Sequence, residues 1–332
     1  MTRICIFGAG AIGGFVGARL ARAGEADVSL IARGPHLEAM KTKGLRLSEG
    51  HEDHVVHPRM TSDPRELGRQ DFIIITLKSH ALPGVVDALQ PLIGPDTALL
   101  FGQNGLPWWY FYKQGGRFDG RHLESVDPGG LLWKRLGPER ALGSVIWQAA
   151  EIRRPGHVVH VYGDRMPLGE PSGELTERVK NLSGLLIKAG IKSPVKPDLR
   201  DEIWLKLWGN LSFNPVSVLT NGTLEGLARD ESARRVLSTM MVEAQAVGEA
   251  LGVRFPVNVE ERMDMAAKVG AHRTSMLQDV DAGRPTELDA LLGVVIELAQ
   301  MTGIATPALK LVYDLVRFRA RLGALGPSDR RQ

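Results

Sequence analysis

Lys206, Asn210 and Asn214 recur at intervals of four along Trp204-Leu205-Lys206-Leu207-Trp208-Gly209-Asn210-Leu211-Ser212-Phe213-Asn214. In a helix this spacing sets all three on one stripe. The stripe holds one ammonium and two carboxamides, flanked by Trp204, Leu207, Trp208, Leu211 and Phe213. A solvated face more often carries mixed charges, so the pattern reads as the lining of a polar pocket, with an ordinary solvated face as the competing reading. Asn104 is a further candidate. It follows Leu99-Leu100-Phe101-Gly102-Gln103 at the end of a predicted strand, and its amide can donate and accept, so it suits orienting ligands, although Asn104-Gly105 also fits a plain turn. Later, Ser275-Met276-Leu277-Gln278-Asp279 and Thr286-Glu287-Leu288-Asp289 flank a Gly-Arg-Pro break. Glu287 there is favoured by the start of a helix on dipole grounds alone.

A second set lies at the N-terminus. Gly8-Ala9-Gly10-Ala11-Ile12-Gly13 fits G-x-G-x-x-G between an apolar strand and an amphipathic helix, the context in which the motif binds a dinucleotide. Gly8 allows the tight turn, Gly10 admits the pyrophosphate, and Gly13 lets helix and strand pack closely while the helix N-terminus receives negative charge. The second strand ends in Leu30-Ile31-Ala32-Arg33, without the carboxylate that would grip a ribose 2′-hydroxyl. Arg33 offers a planar charged fork to a 2′-phosphate instead, which favours NADP. Lys78, in Thr76-Leu77-Lys78-Ser79, follows another buried strand and stands on the edge where open α/β sheets bind ligands.

These residues need a scaffold, and the chain of 332 residues, 43% hydrophobic and 24% charged, has material for two domains. The net charge of +3 is too small to argue for a nucleic-acid or membrane partner, and no basic helix or base-stacking motif is present. The single cysteine, Cys5, lies in an apolar run and reads as a buried small hydrophobe. No metal site is expected. The N-terminus lacks the features of a secretory signal and no stretch is long and apolar enough to span a membrane, so a cytoplasmic protein is expected.

The pattern is α/β, a Rossmann-type domain followed by an all-α one. Strands are expected at 3–7, 27–31, 71–76, 98–101, 142–146 and 157–162, all in one sheet, with helices at 11–23, 81–89 and 173–189. From 198 onward helices are expected at 200–219, 232–251, 259–269, 287–302 and 307–320. Two prolines, Pro194 and Pro197, mark the boundary. The expected division is 1–195 for the nucleotide, 196–325 for substrate and catalysis, and a loose tail at 326–332.

Taken together, the glycine turn, Thr76-Leu77-Lys78, Asn104-Gly105, the Lys206-Asn210-Asn214 helix and the Ser275 to Asp279 and Thr286 to Asp289 segments resemble the ketopantoate reductase (2-dehydropantoate 2-reductase) family. The resemblance runs in order over nearly the whole chain. It implies NADPH-dependent reduction of a small-molecule 2-oxo acid to the 2-hydroxy acid, as in pantothenate biosynthesis. Lys206 would be the general acid, Asn210, Asn214 and Ser275 would contact substrate, and Asn104 would touch substrate and nicotinamide. Cofactor contacts would come from Gly8, Ala9, Gly10, Ala11, Ile12, Gly13, Arg33, Lys78, Ala150 and Glu287. Two departures stand out. Between Asn104 and Gly143 the chain carries an insertion of roughly 20 residues against usual loop lengths, including Pro107-Trp108-Trp109-Tyr110-Phe111-Tyr112, which fits a reshaped pocket, a packed loop or a homodimer contact. A polar substrate contact that the family places beyond the second helix asparagine has no match around Thr220-Asn221-Gly222-Thr223. A different, bulkier 2-oxo acid and a non-catalytic NADP-binding sensor are the alternatives.

Overall fold

The computed structural model describes residues 1–324, and the tail expected at 326–332 lies outside the described residues. The chain forms two compact units. The first comprises Met1–Gln103, Pro107–His122 and Gly129–Leu199, and the second comprises Asn104–Leu106, Leu123–Pro128 and the chain from Arg200.

In the first unit the chain runs β1 (Thr2–Phe7), α1 (Ala11–Ala23), β2 (Ala26–Ile31), α2 (Gly34–Lys43), β3 (Leu45–Glu49), β4 (Glu52–Val56), β5 (Arg59–Thr61) and β6 (Gln70–Ile75). It continues through α3 (Val86–Leu89), β7 (Ile93–Phe101), α4 (Leu131–Leu136), β8 (Ala141–Ser144), β9 (Ala149–Arg154), β10 (His157–Tyr162), β11 (Leu168–Gly169) and α5 (Glu177–Lys188). The main sheet has the order β11-β8-β7-β6-β1-β2-β5. Every neighbouring pair is parallel except β11 with β8. Read from β5 to β8, the order is the 3-2-1-4-5-6 arrangement of dinucleotide-binding sheets. Beyond their first two residues the central strands β1 and β6 are apolar because both faces are covered there: Ile4, Ile6, Ile73, Ile74 and Ile75 are all fully buried. Cys5 lies among them, and burial pushes its thiol up to about 12.

Three expectations are corrected here. Residues 157–162 do not extend the main sheet. As β10 they join a second sheet of order β4-β3-β10-β9, parallel to β3 and antiparallel to β9. The expected helix at 81–89 is two tight turns, Ser79–Ala81 and Pro83–Val85, with only the four residues of α3 in α geometry. Pro83 lacks the N–H a helix needs there and constrains the residue before it. Finally, α5 starts at Glu177 rather than 173, where the Thr176 hydroxyl accepts from the Val179 N–H.

The aromatic insertion is part of the interior. Trp108, Trp109, Tyr110 and Phe111 are at most 2% exposed. Trp108 meets Phe101 and Trp133 edge to face, with ring centroids 5.4 and 6.3 Å apart. The Trp109 indole lies directly over Gly143 of β8, where a Cβ would collide with it.

The second unit is helical among the described residues: α6 (Leu199–Thr220), α7 (Leu224–Arg229), α8 (Glu231–Ala250), α9 (Val259–Ala267), α10 (Ser275–Asp281), α11 (Val294–Thr302) and α12 (Pro307–Ala324). The buried Trp208 of α6 donates its indole N–H to the Met241 carbonyl of α8 at 2.7 Å, and its ring sits 4.7 Å from Phe255. Residues 287–302 are not one α-helix, because a π turn at Asp289–Gly293 precedes α11. No helix among the described residues is long and apolar enough to cross a membrane.

Because Trp109 is a fully packed core ring, Trp109→Ala should lower unfolding free energy by about 3–5 kcal/mol in urea denaturation. A loss below about 1 kcal/mol would mean that the insertion is a surface loop.

Candidate active site

The glycine turn has the geometry that a pyrophosphate requires. Gly8 sits at φ +101°, a conformation that side chains disfavour. Its carbonyl accepts from the Thr76 hydroxyl at 2.7 Å, which fastens the turn to the end of β6. A Cβ on Gly13 would strike the Gly8 carbonyl and Thr76 Oγ1, whereas one on Gly10 would find nothing nearer than the Gly8 oxygen at 3.9 Å. The backbone is therefore closed where α1 meets the turn and open where an anion would approach. No acidic residue lies in the first turn of α1, and no side chain caps it. Its first N–H groups are thus left for an anion.

The other residues of this group lie in the same unit. Arg33 is exposed at the N-cap of α2, directly after β2. Lys78 is partly buried just beyond β6. Ala150 lies in β9, opposite His160 of β10 in the smaller sheet, and packs with Ile12 against the core that covers α1. It is thus placed in the smaller sheet, beside the packing of α1.

In the second unit, three sequence-distant residues form one chain of hydrogen bonds. Lys206 Nζ of α6 donates to Asn104 Oδ1 at 2.8 Å, and Asn104 Nδ2 donates to Glu287 Oε2 at 3.1 Å. The asparagine is fixed from both ends, so its amide has one orientation. Burial lowers Lys206 from the usual 10.5 to about 8, opposed by the nearby negative charge of Glu287. Glu287 is therefore more than a residue favoured by a helix start.

Asn104-Gly105 is not a plain turn either. Gly105 sits at φ +89°, and a Cβ there would run into the Ala290 carbonyl. The same carbonyl accepts from the Leu106 N–H at 3.1 Å. Ala290 belongs to the π turn, in which Val294 donates five residues back to Asp289, so its carbonyl is presented to a partner outside the helix. The π turn thereby seats Asn104 beside Glu287.

Asn210 and Asn214 follow Lys206 at one-turn intervals in the unbroken α6, Asn210 partly buried and Asn214 buried. Ser275 is exposed at the first position of α10. Thr274, which the sequence reading passed over, fixes it: the buried Thr274 hydroxyl caps α10 at Leu277 and lies 2.6 Å from Ser217 Oγ. Ser217 in turn donates to the Asn214 carbonyl at 2.7 Å. The start of α10 is therefore pinned one turn beyond Asn214. A threonine three residues before a helical N–H was the available signal.

Comparison with known proteins shows the family to which the chain belongs. Residues 4–173 match the family model described as ketopantoate reductase PanE/ApbA, and residues 198–320 match its C-terminal counterpart. A 2-dehydropantoate 2-reductase of Mesorhizobium japonicum is 51% identical over 95% of this chain and 97% of its own length. A Ralstonia solanacearum protein, solved as a candidate ketopantoate reductase, superposes with a TM-score of 0.92 at 39% identity, covering 98% of this chain and all of that one. The PanE/ApbA family ketopantoate reductase of Ralstonia eutropha gives 0.84 at 28% identity, with 98% and 100% coverage. With both family models matched in order over nearly its full length, on a Rossmann-type sheet followed by helices, this chain is an oxidoreductase that belongs to the ketopantoate reductase family.

Proposed function

We propose that the chain reduces 2-dehydropantoate, a small 2-oxo acid, to the 2-hydroxy acid with NADPH, residues 1–195 holding the nucleotide and 196–325 the substrate. The observation that carries this reading is the half-buried Lys206 hydrogen-bonded to Asn104, which Glu287 in turn holds. The open backbone at Gly10 and the uncapped start of α1 fit a pyrophosphate, and the exposed Arg33 after β2 suits a 2′-phosphate. When bound, NADPH supplies a hydride to the carbonyl carbon.

The residues of the chain handle the proton and the charge. The carbonyl oxygen becomes an alkoxide as the C–H bond forms and takes a proton from Lys206 Nζ, leaving an alcohol and a neutral amine. A lysine near 8 is still mostly protonated at neutral pH, yet gives up its proton more readily than one at 10.5. Asn104 fixes the direction of the ammonium, and Glu287 keeps its charge from being lost altogether. Asn210, Asn214 and Ser275 supply neutral hydrogen-bonding groups for the oxygens of the substrate. The aromatic insertion lends no support to a bulkier substrate, since its rings are packed into the first unit.

Lys206→Ala should lower kcat by about 10²- to 10⁴-fold, the usual worth of a general acid, while NADPH affinity measured by fluorescence titration stays close to that of the native chain. An unchanged kcat would remove Lys206 from the mechanism. In the native enzyme kcat/KM should be level below about pH 8 and fall tenfold per unit above it, as Lys206 loses its proton. Glu287→Gln removes the charge that supports the ammonium, so the fall should begin at lower pH; a break that stays put or moves upward would contradict the assignment. Arg33→Ala should weaken NADPH by about 10- to 100-fold, the scale of a charge-assisted contact, and leave NADH nearly unaffected. Equal losses for the two nucleotides would mean that Arg33 does not meet the 2′-phosphate.

A further inference from the structure

Gln148 is 7% exposed, and neither its Nε2 nor its Oε1 has a partner among the described residues. Leaving one buried amide atom unsatisfied costs about 1–3 kcal/mol, and here both are unsatisfied. The residue lies in the loop Val145-Ile146-Trp147-Gln148, which leaves the C-terminal end of β8 and returns at Ala149. This loop is fixed rather than slack. The Val145 N–H donates to the Pro167 carbonyl at 3.0 Å and the Trp147 N–H to the Arg165 carbonyl at 3.1 Å. Beside it, Ile146 lies against Gly102, two residues before Asn104 at the end of β7. The Trp147 indole N–H and Gln103 Nε2 are likewise buried without a partner. Unmet polar groups therefore gather where β7 and β8 end.

Their place in the fold says which part of a dinucleotide would meet them. The pyrophosphate turn belongs to β1 and the 2′-phosphate contact to the end of β2, so the adenosine half takes the β1-β2 side of the sheet. The nicotinamide half is left the β6-β7-β8 side. The chemistry of Gln148 narrows this further. Whichever way its amide faces, it needs one acceptor and one donor from its ligand. A substrate carboxylate offers acceptors only and would leave Oε1 unmet. A carboxamide offers both.

We propose that Gln148 recognises the nicotinamide carboxamide through a reciprocal amide pair, Nε2 donating to the carboxamide oxygen and Oε1 accepting from its NH₂. The inference rests on the NADPH reading above. Gln148 is then a binding residue for the nicotinamide half of the cofactor, and the unsatisfied amide is a cost of the free protein that binding removes.

The test is calorimetric titration of the full chain, native and Gln148→Leu, with NADPH, its thionicotinamide analogue, and 2′-phospho-ADP-ribose, which lacks the nicotinamide. The Leu variant should bind NADPH about tenfold or more weakly, the scale of two neutral hydrogen bonds, and bind 2′-phospho-ADP-ribose as the native chain does. The native chain should prefer NADPH to the thio analogue, whose sulfur accepts poorly, and the variant should lose that preference. Without ligand, the variant should melt no lower than the native chain, because an unmet buried amide has been replaced by an apolar group. Unchanged NADPH affinity would overturn the proposal, as would an equal loss for 2′-phospho-ADP-ribose. If the Leu variant does not fold, Gln148→Met gives the same comparison with similar volume, and failure of both to fold would make the residue structural and end the proposal. A native chain that binds neither nucleotide would overturn the cofactor reading first, and this one with it.

Discussion

An ammonium taken out of water must be met by protein groups or give up its proton, and much of the second unit is arranged around that constraint at Lys206. Full neutralisation by a carboxylate would hold the proton too firmly for donation. Isolation would lose it altogether. The arrangement found is intermediate: Asn104 accepts from Lys206 Nζ and donates to Glu287, and the negative charge of Glu287 opposes the lowering of the lysine by burial. The lysine is thereby kept near 8, between a surface lysine and a neutral amine.

The surrounding packing keeps these atoms in register. α6 is anchored through Trp208 on Met241 and Phe255, so the face bearing Lys206, Asn210 and Asn214 cannot rotate freely. The π turn before α11 offers the Ala290 carbonyl to Leu106, and only a glycine at 105 tolerates that approach. A regular α turn would use the carbonyl internally and leave Asn104 without its seat. Further along α6, the Ser217–Thr274 contact performs a comparable task for Ser275. Asn104 and Ser275 are thus each positioned by neighbours with a purely structural role.

The aromatic insertion shows the same economy on a larger scale. Its tryptophans, tyrosine and phenylalanine add a buried cluster to the first unit beside β7 and β8. That cluster backs the strands whose ends carry Asn104 and Gln148. Large rings with little side-chain freedom are suited to stiffening such a region.

Local patterns carried much of this into view. Glycine spacing, the apolar strand before it and the four-residue repeat of Lys206, Asn210 and Asn214 are short-range features, and short-range backbone preference turns them directly into a strand–turn–helix unit and a one-sided helix. The family followed from the same motifs in order. Contacts between distant segments were not legible. Nothing near residue 157 announces that it will pair with β3 rather than extend the main sheet, since that choice depends on a partner strand about a hundred residues earlier. Asn104 lies 102 residues from Lys206 and 183 from Glu287, and only the folded chain could reveal that one amide joins them. Gln148 gave no signal at all, because an unmet hydrogen bond is a property of surroundings and not of spacing. Residue types and their periods specified which groups were available; the tertiary structure decided which were desolvated and which met, because burial and hydrogen bonding arise between segments that local sequence does not connect.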